Sequence, residues 1–177
     1  MNLKLMSAAA VVALSLGAGA VAAMDPMVGG APMFPSKNIV ENAVNSKDHT
    51  TLVAAVKAAG LVPTLEGKGP FTVFAPTNAA FGKLPAGTVD NLVKSENKAT
   101  LTRILTYHVV AGKLDASDLT DGKKLKTVEG EELTVKKADG KIWIIDAKGG
   151  QSMVTISNVN QSNGVIHVVD TVLLPAS

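Results

Sequence analysis

The hydrophobic pattern of the chain changes near Gly112, and this change constrains the fold more than any other feature. Before Gly112, apolar residues recur at the three- and four-residue spacing of amphipathic helices, as in residues 101–108. After it, short β-prone runs alternate with turn residues, and Asp139-Gly140 between two such runs is a strong hairpin signal. Helices in the first half and strands in the second predict an α+β fold, with helices on one side of mostly antiparallel sheets.

The positions of helices and strands follow from caps and composition. Helix starts are predicted at Ser36, Asp48, Thr77 and Thr88, because Ser, Thr and Asp side chains cap the first amide groups of helices. Strands are predicted over residues 71–74, 133–135, 142–145, 153–159 and 165–174. Residues 165–174 are so apolar that we expect both faces of this strand to be covered.

The N-terminus is typical of a secretory signal peptide. Lys4 is its only charge, and an apolar run ends in the small residues Ala20-Val21-Ala22-Ala23. We expect residues 1–23 to be removed and the protein to be exported, periplasmic or extracellular, with no stable membrane span after cleavage. Residues 24–35, rich in Pro, Gly and Met, are predicted to be a flexible lead-in, and residues 36–175 the single domain.

Charge and cysteine content narrow the possible functions. Removing Lys4 from the 17 Lys and Arg leaves one basic residue more than the 15 Asp and Glu, so the mature chain is nearly neutral. Nucleic-acid binding requires a basic field, and the lysines of residues 123–137 are interleaved with acids, which indicates a solvated surface. The chain has no Cys, which excludes thiol redox chemistry.

Three segments together resemble one family. They are GPFTVFAPTNAAF at residues 69–81, TYHVV at residues 106–110 and SNGVIHVVDTVLLP at residues 162–175. Their order and separations are similar to the first motif, the tyrosine-histidine motif and the second motif of the fasciclin (FAS1) family. The resemblance extends over roughly residues 36–175.

The resemblance implies both a fold and a function. The fold would be a wedge of about seven strands in two mostly antiparallel sheets flanked by helices, with the first and second motifs side by side in the core. The function would be adhesion, through contact with a cell-surface or extracellular-matrix protein or glycan. We expect a monomer that binds no nucleic acid and needs no cofactor.

The same resemblance implies binding residues. Adhesion roles in the family would fall on Tyr107 and His108, and on Asn158 and Val159, where adhesion-associated members carry an Asp-Ile pair. The Asn at position 158 lacks the carboxylate that a cation-assisted contact would use. The alternative for His108, which lies on an apolar helix stripe, is structural: its ring would donate a hydrogen bond to a backbone carbonyl and fix the corner between helix and strand. Tyr107 would pack its ring and find a partner for its hydroxyl.

The sequence carries few patterns that are typical of catalysis or metal binding. The chain carries neither a G-x-S-x-G nor a phosphate-binding loop, and the neighbouring carboxylates of Glu131 and Glu132 are expected on opposite faces of a strand. His49, His108 and His167 are far apart in sequence, so a zinc site would have to be assembled by the fold. His167, within an apolar strand, is expected to be a core histidine with satisfied hydrogen bonds.

Two hypotheses outside adhesion stay open. The first is a copper site at the thioethers of Met24, Met27 and Met33, which are soft ligands suited to Cu(I). The second is carriage of a small apolar ligand in a groove between the helices and the wedge. An enzyme would need a polar cluster buried in a cleft. The sequence therefore favours an exported, non-catalytic interaction domain.

Overall fold

The structure is a computed structural model that describes residues 26–85 and 87–176. Its helices are α1 Ile39–Ala43, α2 Thr50–Ala58, α3 Val62–Leu65, α4 Asn78–Gly82, α5 Thr88–Leu92 and α6 Lys98–Tyr107. Its strands are β1 Met27–Val28, β2 Ala31–Pro32, β3 Phe71–Pro76, β4 Val109–Ala111, β5 Lys124–Lys126, β6 Glu132–Ala138, β7 Lys141–Ile145, β8 Gln151–Gln161 and β9 Gly164–Val169. Short 3-10 turns occupy Lys47–His49, Ser95–Asn97 and Ala116–Asp118.

Seven strands form one continuous series in the order β4-β3-β9-β8-β7-β6-β5. The long strand β8 is shared by two sheets. In the first sheet it pairs with β9, beside β3 and β4. In the second sheet it pairs with β7, beside β6 and β5. β3 and β9 run parallel, with Phe71 opposite Gly164 and Val73 opposite Ile166, and the other pairs are antiparallel. The predicted α+β class is confirmed, and the first and second motifs lie side by side.

The two ends of the strand series meet and close the wedge. An isolated bridge joins Val110 in β4 to Thr127, just after β5, and the Val128 amide donates to the Val109 carbonyl at 2.8 Å. The space between the two sheets is filled by large buried side chains: Phe74, Tyr107, Leu119, Leu133, Ile144 and Leu173. We call this cluster the wedge core.

The helices pack on the outside of the first sheet. Apolar residues of the helices meet the outer side chains of β3 and β9 in a second buried cluster, the helix core, whose members include Ile39, Val56, Leu105, Val73 and Ile166. Each such side chain stabilises the fold by about 1.5 to 3 kcal/mol when buried. β3 and β9 are thus covered on both faces, which explains why both read as continuous apolar runs.

Gly164 is required by the close approach of β3 and β9. A Cβ atom at this position would overlap the carbonyl oxygen of Phe71. The predicted Asp139-Gly140 hairpin between β6 and β7 is also confirmed, since both residues have positive φ, 53° and 74°, as a type I′ turn requires.

β8 changes the face it presents along its length. Its pairing with β9 shifts register between Val154 and Ile156 and again between Ile156 and Val159, and Asn158 has a φ of 57°. Before the irregularities Val154 packs against the wedge core, and after them Val159 lies in the helix core. These bulges allow one strand to serve both sheets.

Three of the four predicted helix caps are wrong, those at Ser36, Asp48 and Thr88. The cap of α1 is Asn38, not Ser36: the Asn38 side chain accepts from the Glu41 amide at 2.9 Å, and the Glu41 carboxylate accepts from the Asn38 amide at 2.8 Å. This capping box satisfies two amides, which Ser36 cannot do. Asp48 lies inside a 3-10 turn that leads into α2. Thr77 caps α4 as predicted, by accepting from the Ala80 amide at 3.2 Å.

The prediction of a lead-in outside the core is wrong for the described part of residues 24–35. β1 and β2 form a small hairpin that buries Val28 and Met33 in the helix core, with 3% and 1% of their surface exposed. Gly29, at a φ of 58°, lets this hairpin approach the turn before α2 closely, because a Cβ there would stand 2.7 Å from the Asp48 amide nitrogen. The predicted signal peptide and Met24 lie outside the described residues.

The last strand ends earlier than predicted. β9 stops at Val169, and several backbone amides after it donate to side chains. The Leu173 amide donates to the His108 ring at 2.9 Å, and the Leu174 amide donates to the Asp146 carboxylate at 3.1 Å. The predicted cap at Thr88 is wrong because Thr88 is the first residue of α5, and the cap position before it is Gly87.

Candidate functional site

Tyr107 is buried at the end of α6 and points into the wedge core. Its side chain is 0% exposed, and its hydroxyl donates to the Glu132 carbonyl at 3.1 Å and accepts from the Ala147 amide at 2.8 Å. Burial raises the pKa of Tyr107 to about 12, so the phenol stays neutral. The ring and hydroxyl therefore join α6 to β6 and to the segment after β7, as the structural alternative predicts.

His108 joins three parts of the chain. Its Nδ1–H donates to the Ile104 carbonyl at 2.8 Å, and its Nε2 accepts from the Leu173 amide, which fixes the tautomer. The His108 carbonyl also accepts from the Phe74 amide at 2.9 Å. Burial lowers the pKa of His108 to about 4, so the ring is neutral near pH 7. The predicted bond to a backbone carbonyl is confirmed.

His167 and Asn158 meet at the bulge of β8. The His167 Nδ1 accepts from the Asn158 amide at 3.2 Å, and its Nε2–H donates to the Leu114 carbonyl at 2.7 Å. The ring stacks on Phe74, with centroids 5.7 Å apart, and burial lowers the pKa of His167. His167 is thus the satisfied core histidine that was predicted.

The four predicted binding residues are not gathered on one surface. Tyr107, His108 and Val159 are buried, with 0%, 2% and 0% exposed, and only Asn158 is exposed. The Asn158 side chain accepts from the Ala116 amide at 2.7 Å, so it also anchors a loop. A binding role for these four residues stays a prediction, while their interior contacts are plainly structural.

Sequence reasoning missed a buried pair that joins the turn before α2 to β3. The Ser46 hydroxyl and the His49 Nδ1 are 2.8 Å apart, and the His49 Nε2 lies 3.4 Å from the Ala75 carbonyl. Because the carbonyl only accepts, Nε2 carries the proton and Ser46 donates to Nδ1. Burial lowers the pKa of His49. The Ser-x-x-His spacing in the sequence was the available signal.

An apolar cavity lies between the helices and the first sheet. Its volume is about 50 Å³, and its walls are mainly aliphatic, with Ser46, His49 and His108 as the polar members. The aliphatic walls include Met33, Val40, Val56, Leu105 and Ile166. A ligand site for a drug-sized molecule usually measures roughly 300 to 1,000 Å³, so the cavity as it stands is too small for one.

Metal binding finds little support in the described residues. Within residues 26–85 and 87–176, no group of three or more His, Asp or Glu side chains is placed to hold a metal ion. His49, His108 and His167 each use both ring nitrogens in hydrogen bonds. The three-Met copper hypothesis is contradicted at Met33, which is buried in the helix core, whereas Met27 is 54% exposed.

Two further asparagines hold the helices to the motifs. Asn163, in the second motif, accepts from the Ile39 amide at 3.1 Å and donates to the Leu65 and Gly67 carbonyls at 2.6 and 2.9 Å. Asn42 donates to the Phe34 carbonyl and to Gln161, and accepts from the Phe34 amide. The polar residues around the motifs therefore satisfy buried backbone groups.

Comparison with known proteins agrees with this arrangement. The family model of the Fasciclin domain matches residues 47–175. The chain is 53% identical to Protein sll1483 of Synechocystis sp. over 77% of this chain and 73% of that protein. It is 38% identical to the cell surface glycolipoprotein MPB83 of Mycobacterium bovis over 90% of this chain and 66% of that protein, and 39% identical to the immunogenic protein MPB70 of the same species over 75% and 66%.

A solved structure shares the fold. It is described as a FAS1 domain pair from the insect cell adhesion molecule fasciclin I, and it matches with a TM-score of 0.70 at 20% identity, covering 78% of this chain and 51% of that one. The chain thus spans about half of that two-domain structure. No helix within residues 26–85 and 87–176 is long and apolar enough to cross a membrane. The chain belongs to the fasciclin domain family.

Proposed function

We propose that this protein is an exported, non-catalytic adhesion domain that binds a cell-surface or extracellular-matrix partner through its outer surface. The observation that carries this proposal is the use of the motif residues. Tyr107, His108, Asn163 and His167 all satisfy backbone groups inside the fold, and Phe74 fills the wedge core. Recognition is left to exposed loops and sheet faces.

The relatives support a surface location. One relative is named a cell surface glycolipoprotein, and the matching solved structure comes from a cell adhesion molecule. These names describe those proteins, and we extend them to this chain as part of the proposal. The predicted signal peptide of residues 1–23 would bring the domain to the same compartment.

The proposal is tested by attachment of the producing cells. A strain that lacks the gene is compared with strains that express the full chain or a chain without residues 2–23. We expect the deletion to reduce attachment to surfaces or to other cells, and only the full chain to restore it. Attachment that is unchanged in the deletion strain would reject adhesion, and restoration by the leaderless chain would reject export.

The cavity favours a second candidate function, carriage of a small apolar ligand. Its walls are mainly aliphatic, and the Ser46 oxygen, which donates its proton to His49, could still accept a hydrogen bond from a ligand. Its volume of about 50 Å³ means that α1 and α2 would have to move apart to admit such a ligand. Native mass spectrometry of the protein purified from its own organism tests this candidate, because a carrier retains a bound small molecule and an adhesion domain shows the bare mass.

The Ser46–His49 pair could suggest a catalytic serine, so the non-catalytic part of the proposal depends on how this pair is built. Its geometry resembles the first step of nucleophile activation, but the group that orients His49 is a neutral carbonyl, and Ser46 is 2% exposed. We expect no labelling of Ser46 by a serine-reactive fluorophosphonate. Labelling that disappears in a His49→Gln variant would establish a working nucleophile.

A further inference from the structure

In the described chain the helices pack against β3, β4 and β9 and make at most sparse contact with β5 to β8. In strands β6 and β7 alternate residues turn inward, and Leu133, Val135 and Ile144 lie in the wedge core. The residues between them turn outward. In strand order from β5 to β8, this outer face carries Lys124, Lys126, Glu132, Thr134, Lys136, Lys141, Trp143, Ile145, Gln151 and Met153.

The centre of the outer face is apolar. Trp143, Ile145 and Met153 are half-buried, and none of them is a member of the wedge core or the helix core. They are therefore shielded by their neighbours on the sheet and not by packing into the interior. Trp143 is the single tryptophan of the chain.

Strand register surrounds Trp143 with lysines. Trp143 lies directly opposite Lys136 on β6 and directly opposite Met153 on β8. Lys141 lies two residues before Trp143 on the same strand. Since neighbouring strands are about 4.8 Å apart and same-face residues about 6.7 Å apart, both lysines stand beside the indole. In the next row, Lys124, Thr134, Ile145 and Gln151 are in register.

The charge of this face differs from the charge of the whole chain. The outer face holds four lysines and one glutamate, whereas the chain carries 17 Lys and Arg against 15 Asp and Glu. Lys124 and Glu132 form an exposed pair at 4.0 Å, with side chains 69% and 55% exposed. Such a pair contributes little and leaves the positive character of Lys126, Lys136 and Lys141.

We propose that this outer face binds an acidic polysaccharide, with Trp143 stacking on a sugar ring and Lys136 and Lys141 pairing with its carboxylate or sulfate groups. The electron-rich face of an indole attracts the polarised C–H groups of a sugar ring. Thr134 and Gln151 offer uncharged hydrogen-bonding groups for sugar hydroxyls. The inference deepens the proposed adhesion function, on which it rests for its biological setting, by naming the partner class.

Other anionic partners fit this face less well. Sequence-independent binding of single-stranded nucleic acid uses several aromatic platforms in a basic groove, and here the outer face carries one tryptophan. Insertion into an anionic membrane uses protruding apolar side chains, whereas Trp143, Ile145 and Met153 are half-buried. A linear sugar chain needs only one flat apolar platform with cations beside it.

The test measures binding of the purified full chain to soluble alginate, heparin and neutral dextran by calorimetry at low and at high ionic strength. The double variant Lys136→Gln with Lys141→Gln should bind at least one of the two acidic polysaccharides, alginate or heparin, about tenfold more weakly than the unaltered protein. Lys57→Gln combined with Lys94→Gln, two exposed lysines of the helical side, is the charge-matched control and should leave the affinity within about twofold. Trp143→Leu keeps apolar area, removes the aromatic face, and should weaken binding that persists at high salt.

Two results would overturn the inference. The first is no binding to either acidic polysaccharide at low ionic strength, whether or not the protein binds phosphatidylglycerol vesicles. The second is an equal loss of binding in the outer-face and control variants. Unchanged unfolding midpoints of the variants exclude misfolding as the cause of a loss. Reduced attachment of the deletion strain without polysaccharide binding would leave the adhesion proposal intact and reject this inference alone.

Discussion

The two sheets of the wedge are built alike and covered differently. β3 and β9 have the helix core on one side and the wedge core on the other, whereas β6 and β7 have the wedge core on one side and an uncovered surface on the other. The family motifs that the sequence displays lie in the covered sheet. This difference shows that the residues of the family motifs pack in the interior. The residues of β5 to β8 on the uncovered face match no family motif, and they remain accessible to a binding partner.

The largest expected effect comes from Phe74, which is 0% exposed in the covered sheet and stacks on His167. Phe74→Ala should lower the free energy of unfolding by about 3 to 5 kcal/mol. Its counterpart on the uncovered sheet, Ile145→Ala, should cost about 1 kcal/mol because Ile145 is half-buried. Urea unfolding measures both, and equal losses would remove the distinction between the sheets.

The β1–β2 hairpin sharpens the comparison, since it extends the cover of the first sheet. Met33→Ala should lower the free energy of unfolding by about 3 kcal/mol, because the side chain is 1% exposed in the helix core. Met27→Ala in the same hairpin is the matched control and should change it by less than about 0.5 kcal/mol, since Met27 is 54% exposed. If Met33→Ala is as mild as Met27→Ala, residues 26–35 are the lead-in that the sequence suggested.

Acid should loosen the covered sheet, because all three histidines are buried around it. The folded-state pKa of His108, about 4, is below the unfolded value of about 6.5, so the unfolded chain binds more protons between these values. The stability from keeping His108 neutral is complete above about pH 6.5 and falls as the pH drops towards 4. The pKa values of His49 and His167 are lowered too, which acts in the same direction.

Between about pH 7.5 and pH 5, His108 alone should reduce the free energy of unfolding by about 2 kcal/mol. Urea unfolding across this range measures the slope, and a His108→Gln variant should show a shallower one. A slope that is the same in both proteins would mean that His108 titrates alike in the folded and unfolded chain.

The smallest of these effects concerns the Tyr107 hydroxyl. Tyr107→Phe keeps the ring and leaves the Ala147 amide and the Glu132 carbonyl without this partner, which should cost about 1 to 2 kcal/mol. Thermal unfolding monitored by circular dichroism measures this loss. An unchanged midpoint would show that the hydroxyl does not stabilise the fold.

The sequence predicted the covered sheet better than the surface. The side-by-side placement of β3 and β9 was implied by the family resemblance. The Asp139-Gly140 hairpin follows from turn chemistry, and the bond of the His108 ring to a backbone carbonyl follows from the apolar helix stripe on which the ring lies. Met33 was missed because two-residue strands carry no periodicity. Ser36 and Asn38 are both suitable cap residues by type, and the capping box between Asn38 and Glu41 decides for Asn38.

The outer face could not be predicted because it depends on register. In the sequence, Lys136 and Lys137 are neighbours among acids, and nothing local says that Lys136 lies opposite Trp143. Strand alternation separates the two lysines, and pairing then gathers Lys124, Lys136 and Lys141 on one face. The Ser46–His49 spacing is visible in the sequence, but the contact of His49 with the Ala75 carbonyl in β3 depends on the fold.

The most direct test compares attachment by cells that carry Tyr107→Phe with attachment by cells that carry Lys136→Gln and Lys141→Gln together, at a temperature where both proteins are folded. If motif side chains serve the interior and the uncovered sheet serves binding, the tyrosine variant attaches like the unaltered protein and the double lysine variant attaches like the deletion strain. Loss of attachment in the folded tyrosine variant, with full attachment in the lysine variant, would contradict this account.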